Sequence, residues 1–204
     1  MTRRRIGREL GAVLLLIAPP AAAQSRQFLS VQGSGLLTSL QGNAFDLLRI
    51  GTGLGGEFQV RINPGSVSYG AGYQITVHSS TSQGLTNHMT LSGVFFEPRY
   101  AIAISSRVVR PYVAGRLALM MQSTDLGDIG TTYKVKANAF AFGGGGGFVA
   151  RLSDRVNFDL GLALTAANFG EFKYRDTGSA SGLDAGSGTI FVIKTGLNVG
   201  LGSR

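Results

Sequence analysis

His78 and Ser80 stand two residues apart in a stretch of alternating character, so both would project from one face of a strand. An imidazole beside a hydroxyl is the minimum for nucleophilic chemistry: the histidine takes the serine proton and a carboxylate orients the ring. Glu57 and Glu97 are the carboxylates available for that third place. A second pattern, Gly51-Thr52-Gly53-Leu54-Gly55-Gly56, satisfies the dinucleotide fingerprint G-x-G-x-x-G. That fingerprint works only when a helix N-terminus follows to receive the pyrophosphate, and here Glu57-Phe58-Gln59-Val60-Arg61 alternates as a strand does. The run Gly143 to Gly147 lacks the lysine and hydroxyl of a phosphate loop and reads as a bent, closely packed strand segment. No cofactor or metal site is expected.

Charge placement is the more informative chemistry. From Phe148 to Thr165 two alternating runs meet at Ser153 and Asp154. In the second, Val156, Phe158, Leu160, Leu162 and Leu164 form an uninterrupted apolar face, while Asp159 sits mid-strand among small and polar residues. Arg49, Glu57 and Arg61 likewise share one face with Gly51, Gly53, Gly55 and Gln59, opposite Leu48, Ile50, Leu54, Phe58, Val60 and Ile62. Three charges pointing the same way require a polar interior.

The elements that must position them follow in order. A first strand alternates Leu29, Val31 and Leu37 with Ser30, Gln32, Ser34 and Thr38. After the second strand, Asn63-Pro64-Gly65 is a tight turn by its chemistry. The third strand sets Val67, Tyr69, Ala71, Tyr73, Ile75 and Val77 against a polar face that ends in His78. In the fourth, Met89 and Leu91 disagree in phase with Phe96 and Tyr100, which a bulge at Gly93 would reconcile, leaving Glu97 and Arg99 inward. The fifth and sixth put Arg116 and Arg151 inward, and the last puts Lys194 inward against Phe191, Ile193, Leu197, Val199 and Leu201. Eight strands result. Short turns near Asn63, Ser105 and Ser153 alternate with longer loops at 39–46, 79–88, 122–132 and 167–188.

Residues 1–23 read as a cleaved secretory signal peptide: Arg3, Arg4 and Arg5, an apolar run from Leu10 to Ala18, then Ala21-Ala22-Ala23. Of 19 Lys and Arg and 11 Asp and Glu, that leader holds Arg3, Arg4, Arg5, Arg8 and Glu9, leaving 15 against 10. The residual charge is too small and scattered for a nucleic-acid partner. The chain has no cysteine, so disulfides do not hold it together. No later apolar run is long enough for a membrane helix, so any spanning falls to strands.

Residues 24–204 resemble the small eight-stranded outer-membrane barrels of Gram-negative bacteria, the OmpA and OmpX-like superfamily. The resemblance is carried by Phe96-Glu97-Pro98-Arg99-Tyr100, Arg110-Pro111-Tyr112-Val113, the 148–165 hairpin and the terminal Lys194-Thr195-Gly196-Leu197-Asn198-Val199-Gly200-Leu201. It implies an all-β, eight-stranded antiparallel up-and-down transmembrane barrel in the cell outer membrane, with both termini periplasmic. The terminal run is similar to the insertion signal read by the barrel assembly machinery, although the chain ends in Gly202-Ser203-Arg204 where that signal ends on an aromatic residue. His78 and Ser80 are similar to the His-x-Ser pair of outer-membrane lipid A deacylases, whose motif continues with asparagine where this chain has Thr81.

In a barrel of eight strands side chains just fill the interior. Arg49, Glu57, Arg61, Glu97, Arg99, Arg116, Arg151, Asp159 and Lys194 are then expected to form an ion-pair network in a plugged lumen. Lys134 and Lys136, just outside the sixth strand, and Lys173 and Arg175 in the last loop would contact lipopolysaccharide phosphates at the outer rim. The expected function is structural or surface interaction through external loops, with outer-membrane lipid and lipopolysaccharide as partners. A lipid A hydrolase and a soluble exported β-sandwich are the alternatives.

Overall fold

The computed structural model describes residues 28–46, 51–82, 85–106, 108–128, 131–174 and 179–201. The leader, Arg49 and Arg175 lie outside them. The elements are β1 (Leu29–Gln41), α1 (Asn43–Asp46), β2 (Thr52–Ile62), β3 (Val67–Ser82), β4 (Leu85–Ala101), β5 (Val109–Asp128), β6 (Thr131–Arg151), β7 (Val156–Phe169), β8 (Glu171–Tyr174), β9 (Ala180–Asp184) and β10 (Ser187–Leu201). Each long strand pairs antiparallel with its neighbours around the ring β1, β2, β3, β4, β5, β6, β7, β10. The ring closes where β10 meets β1, from Leu29 opposite Leu201 to Gln41 opposite Thr189. This is an eight-stranded up-and-down barrel, and β8 with β9 is a small hairpin added to the edge of β6.

Alternation does what the sequence required. Along β1 every even residue from Ser30 to Leu40 is buried. Apolar side chains of the opposite phase are exposed around the whole outer wall, among them Leu37, Phe58, Ile75, Val94, Leu119, Phe142, Leu162 and Ile193. Hydroxyls set the tight turns at one end: Ser106 Oγ accepts from the amides of Val108 and Val109, and Ser153 Oγ accepts from those of Arg155 and Val156. We call this the turn end.

The opposite end differs from the sequence expectation. Most of 79–88 and 122–132 is paired strand, with β3 running to Ser82 and β5–β6 pairing out to Asp128 opposite Thr131. The segment 39–46 holds the end of β1 and α1, and 167–188 holds β8 and β9. These stretches lose the apolar outward face and so resemble loops, yet their backbone ladders continue, with β-branched Thr124 suited to a strand.

No bulge interrupts β4. Its pairing with β3 runs in one register from Val67–Tyr100 through Gln74–Gly93 to Ser82–Leu85, so Met89, Leu91 and Phe95 share the inward phase of Glu97 and Arg99. The phase conflict arose from taking Met89 and Leu91 as outward. They point inward because this end of the lumen is apolar.

Candidate functional site

The lumen has two tiers. Towards the turn end it is ionic, and towards the loop end it is filled by Leu36, Met89, Leu91, Phe95, Met120 and their neighbours. Above these, α1 folds inward. Gly42, at φ 109°, lets the chain leave β1, and Phe45 then seats edge-on against Phe169 with ring centroids 5.7 Å apart. Gly188 makes room for that ring, since a Cβ there would fall 2.3 Å from it.

Glu97 is the hub of the ionic tier. It accepts from Arg61 Nη1 at 3.1 Å, Arg99 Nε at 2.7 Å, Arg116 Nε at 3.1 Å and Lys194 Nζ at 3.0 Å. Glu57 accepts from Arg116 Nη2 at 2.6 Å, with Lys194 Nζ 3.5 Å away. Asp159 accepts from Arg99 Nη1 and, at 2.9 Å, from the Tyr112 hydroxyl. Amide oxygens take further donors: Arg61 Nη1 donates to Gln59 at 2.8 Å and Arg116 Nη1 to Gln74 at 2.8 Å. The guanidinium of Arg116 also lies 4.0 Å from the Phe95 ring centre, where the two tiers meet, and that of Arg99 lies 4.3 Å from Tyr112.

All seven charged groups are buried. Charges held this deeply persist only when paired and hydrogen-bonded, which is the arrangement found. Glycines supply the space: a Cβ at Gly70 would fall 2.6 Å from Arg61 Nη1, and one at Gly161 would fall 2.6 Å from the Tyr112 hydroxyl. Four cations face three carboxylates, so the tier carries an excess positive charge.

Seven residues of the sequence-derived network therefore meet in one cluster: Glu57, Arg61, Glu97, Arg99, Arg116, Asp159 and Lys194. Arg49 lies outside the described residues. Arg151 is a correction: its side chain is 42% exposed at the turn end and pairs with Asp154, because it sits at the last residue of β6 where the wall ends. Sequence reasoning missed the apolar tier and the stacking of Phe95. Carrying the phase of Glu97 and Arg99 backwards along β4 would have placed both.

His78 of the His-x-Ser pair turns its Nε2 to threonine hydroxyls. His78 is buried, and its Nε2 lies 3.0 Å from Thr76 Oγ1 and 3.3 Å from Thr38 Oγ1. Glu57 and Glu97, the carboxylates considered as its orienting partner, are committed to arginine and lysine. The glycines of the G-x-G-x-x-G pattern run into and along β2, with Gly53 directly opposite His78, where a Cβ would strike the imidazole at 2.3 Å. They are spacers.

At the loop end Lys134 and Lys136 lie within β6, a further departure from the sequence expectation, and continue the outward phase of Phe140 and Phe142. Lys136 stands directly opposite Lys173 of β8. Lys134 stands opposite Asp125 of β5.

No protein-family model and no curated protein sequence matches the chain. Among solved structures it is similar to Neisserial surface protein A, with a TM-score of 0.62 at 15% identity over 85% of this chain and 97% of that one. It is also similar to Ail, the attachment invasion locus protein of Yersinia pestis, in complex with the heparin analogue sucrose octasulfate, with a TM-score of 0.50 at 10% identity over 83% and 97%. The likeness is one of fold: the chain has the fold of the small eight-stranded outer-membrane barrels.

Proposed function

We propose that this protein is a non-conducting barrel of the outer membrane that works at its outer rim by holding phosphate groups of lipopolysaccharide. The outward apolar wall supports the location. From Phe191 to Leu201 the strand rises roughly 34 Å at 3.4 Å per residue, or about 26 Å along the normal at a tilt near 40°, which matches the apolar band of such barrels. The short turns then face the periplasm and the extended hairpins face outwards. The two filled tiers lie in series along the lumen, and a water-filled path has neither to pass through.

The observation that carries the rim reading is the pair Lys136 and Lys173. Like charges directly opposite on a sheet repel, and a fold gains nothing from that arrangement alone. An anion between them converts repulsion into two charge-assisted hydrogen bonds. Lys134 extends the same outward face six residues beyond Phe140, on the headgroup side of the apolar wall.

The test compares the wild-type chain with a variant in which Lys134, Lys136, Lys173 and Arg175 are all changed to glutamine. Both are purified from outer membranes, and the lipopolysaccharide retained per barrel is measured. The reading requires a several-fold loss in the variant with unchanged heat-modifiable migration on gels. Equal retention removes the rim from the function. Failure of the wild type to sediment with outer membranes removes the location.

A further inference from the structure

We infer that the turn end of the lumen is a binding site for a phosphate-sized oxyanion. A cavity of about 170 Å³ opens there below the ionic tier. Arg61 and Arg99 line it from the tier, and Arg110, Arg151 and Arg155 line it from the turns, together with Asp154. Among the described residues three rim guanidinium groups thus meet one carboxylate, and the tier above holds four cations against three carboxylates. Positive charge is in excess at both levels.

Two buried polar side chains, Arg99 and Ser30, line the cavity wall. Arg99 spends Nε on Glu97 and Nη1 on Asp159, while its buried Nη2 has no hydrogen-bond partner among the described residues. A buried guanidinium nitrogen left in this way is costly, and a small shift of the Arg99 head towards the cavity would let an acceptor there satisfy it. Ser30 Oγ accepts from Asn63 Nδ2 at 3.1 Å and from Asn198 Nδ2 at 3.2 Å. With both lone pairs taken, its hydroxyl can act towards the cavity only as a donor. Forked guanidinium groups around a small cavity suit a tetrahedral oxyanion better than a lone carboxylate, because several oxygens can be engaged at once. This inference does not depend on the function of the outer rim.

Such an anion has two sources, free inorganic phosphate or the headgroup of a lipid whose phosphate reaches the mouth. The full chain, refolded in a maltoside detergent that carries no phosphate, is titrated with inorganic phosphate and separately with dihexanoylphosphatidic acid, by calorimetry at fixed ionic strength. Saturable one-to-one binding of either probe, weakened at least tenfold in the double variant Arg151→Gln/Arg155→Gln, is expected, and the tighter probe identifies the source. No saturation with either probe, equal affinity in the double variant, or equal displacement by chloride overturns the site. A readout on the unaltered chain guards against a variant that does not refold. In the nitrogen-labelled wild type, the probe must move the side-chain resonances of Arg99 and leave those of Arg116, which lines no part of the cavity; unmoved Arg99 resonances also overturn it.

Discussion

Lys194 Nζ lies 3.1 and 3.0 Å from the two carboxylate oxygens of Glu97, although β10 and β4 are four strands apart on a ring of eight. The contact therefore crosses the full width of the barrel. Arg116 of β5 reaches Glu57 of β2, and Arg99 of β4 reaches Asp159 of β7, so chords in other directions meet the first near Glu97. The wall encloses a solid section in which charges, and not a greasy core, tie opposite strands together.

Glu97→Gln removes the acceptor common to four cations, while Glu57→Gln removes one shared by two. Breaking a buried pair from one side costs about 3–5 kcal/mol, because the remaining charge is left uncompensated. Glu97→Gln is expected at or above the top of that range and Glu57→Gln near the bottom. Urea unfolding of the two variants in lipid vesicles, read by the gel shift of folded barrel, checks the order; equal midpoints would refute the hub role of Glu97.

The plug is also testable through its layering. The ionic tier and the apolar tier block the lumen one after the other, so opening either alone leaves the other shut. Wild type and a Met89→Ala/Leu91→Ala/Met120→Ala variant should both give no stable single-channel current in planar bilayers. A steady conductance from the triple variant would mean that the ionic tier admits water and ions by itself.

The glycine run offers a structural control. A Cβ at Gly145 would fall 2.1 Å from the Leu162 carbonyl oxygen of β7, and backbone cannot swing aside as a side chain can. At Gly33 nothing lies within 4 Å of the added carbon. Gly145→Ala is expected to destabilise by roughly 1–3 kcal/mol or to prevent closure, as overpacking does. Gly33→Ala should be neutral or slightly stabilising, since alanine limits the unfolded chain more than glycine does. Folding yield and urea midpoint of the two variants decide it.

What could be read from the sequence, and what could not, follows from periodicity. Wherever a strand borders lipid on one side and charge on the other, as at Asp159 or Arg61, the two faces differ so strongly that orientation is unambiguous. Above the apolar band that contrast vanishes: Thr124 and Lys136 lie in ladders as regular as those of Leu119 and Phe140, but with no apolar stripe to reveal them. The inward apolar run Met89, Leu91 and Phe95 failed for the opposite reason, because an apolar residue in this fold points to lipid or to the upper lumen with equal chemical sense. Only the continuous register through Gly93 separates the two. Which cation pairs with which carboxylate depends on chords across the ring, and strand pattern carries no record of those distances.

At the rim, stability and binding pull in opposite directions. Lys173→Glu places an opposite charge across from Lys136, and a cross-strand pair of that kind contributes about 0.2–1 kcal/mol where the native pair repels. The variant should therefore resist urea slightly better than wild type, while losing retained lipopolysaccharide because the phosphate site becomes a closed ion pair. The two measurements must move in opposite directions. A variant that is more stable and keeps its lipopolysaccharide would show that the lysine pair is only solvated charge, since a residue used for binding cannot be neutralised by its neighbour without loss. A variant that loses both stability and lipopolysaccharide would instead place Lys173 in contacts that hold the β8 hairpin, and the loss of ligand would then follow from the loss of the hairpin.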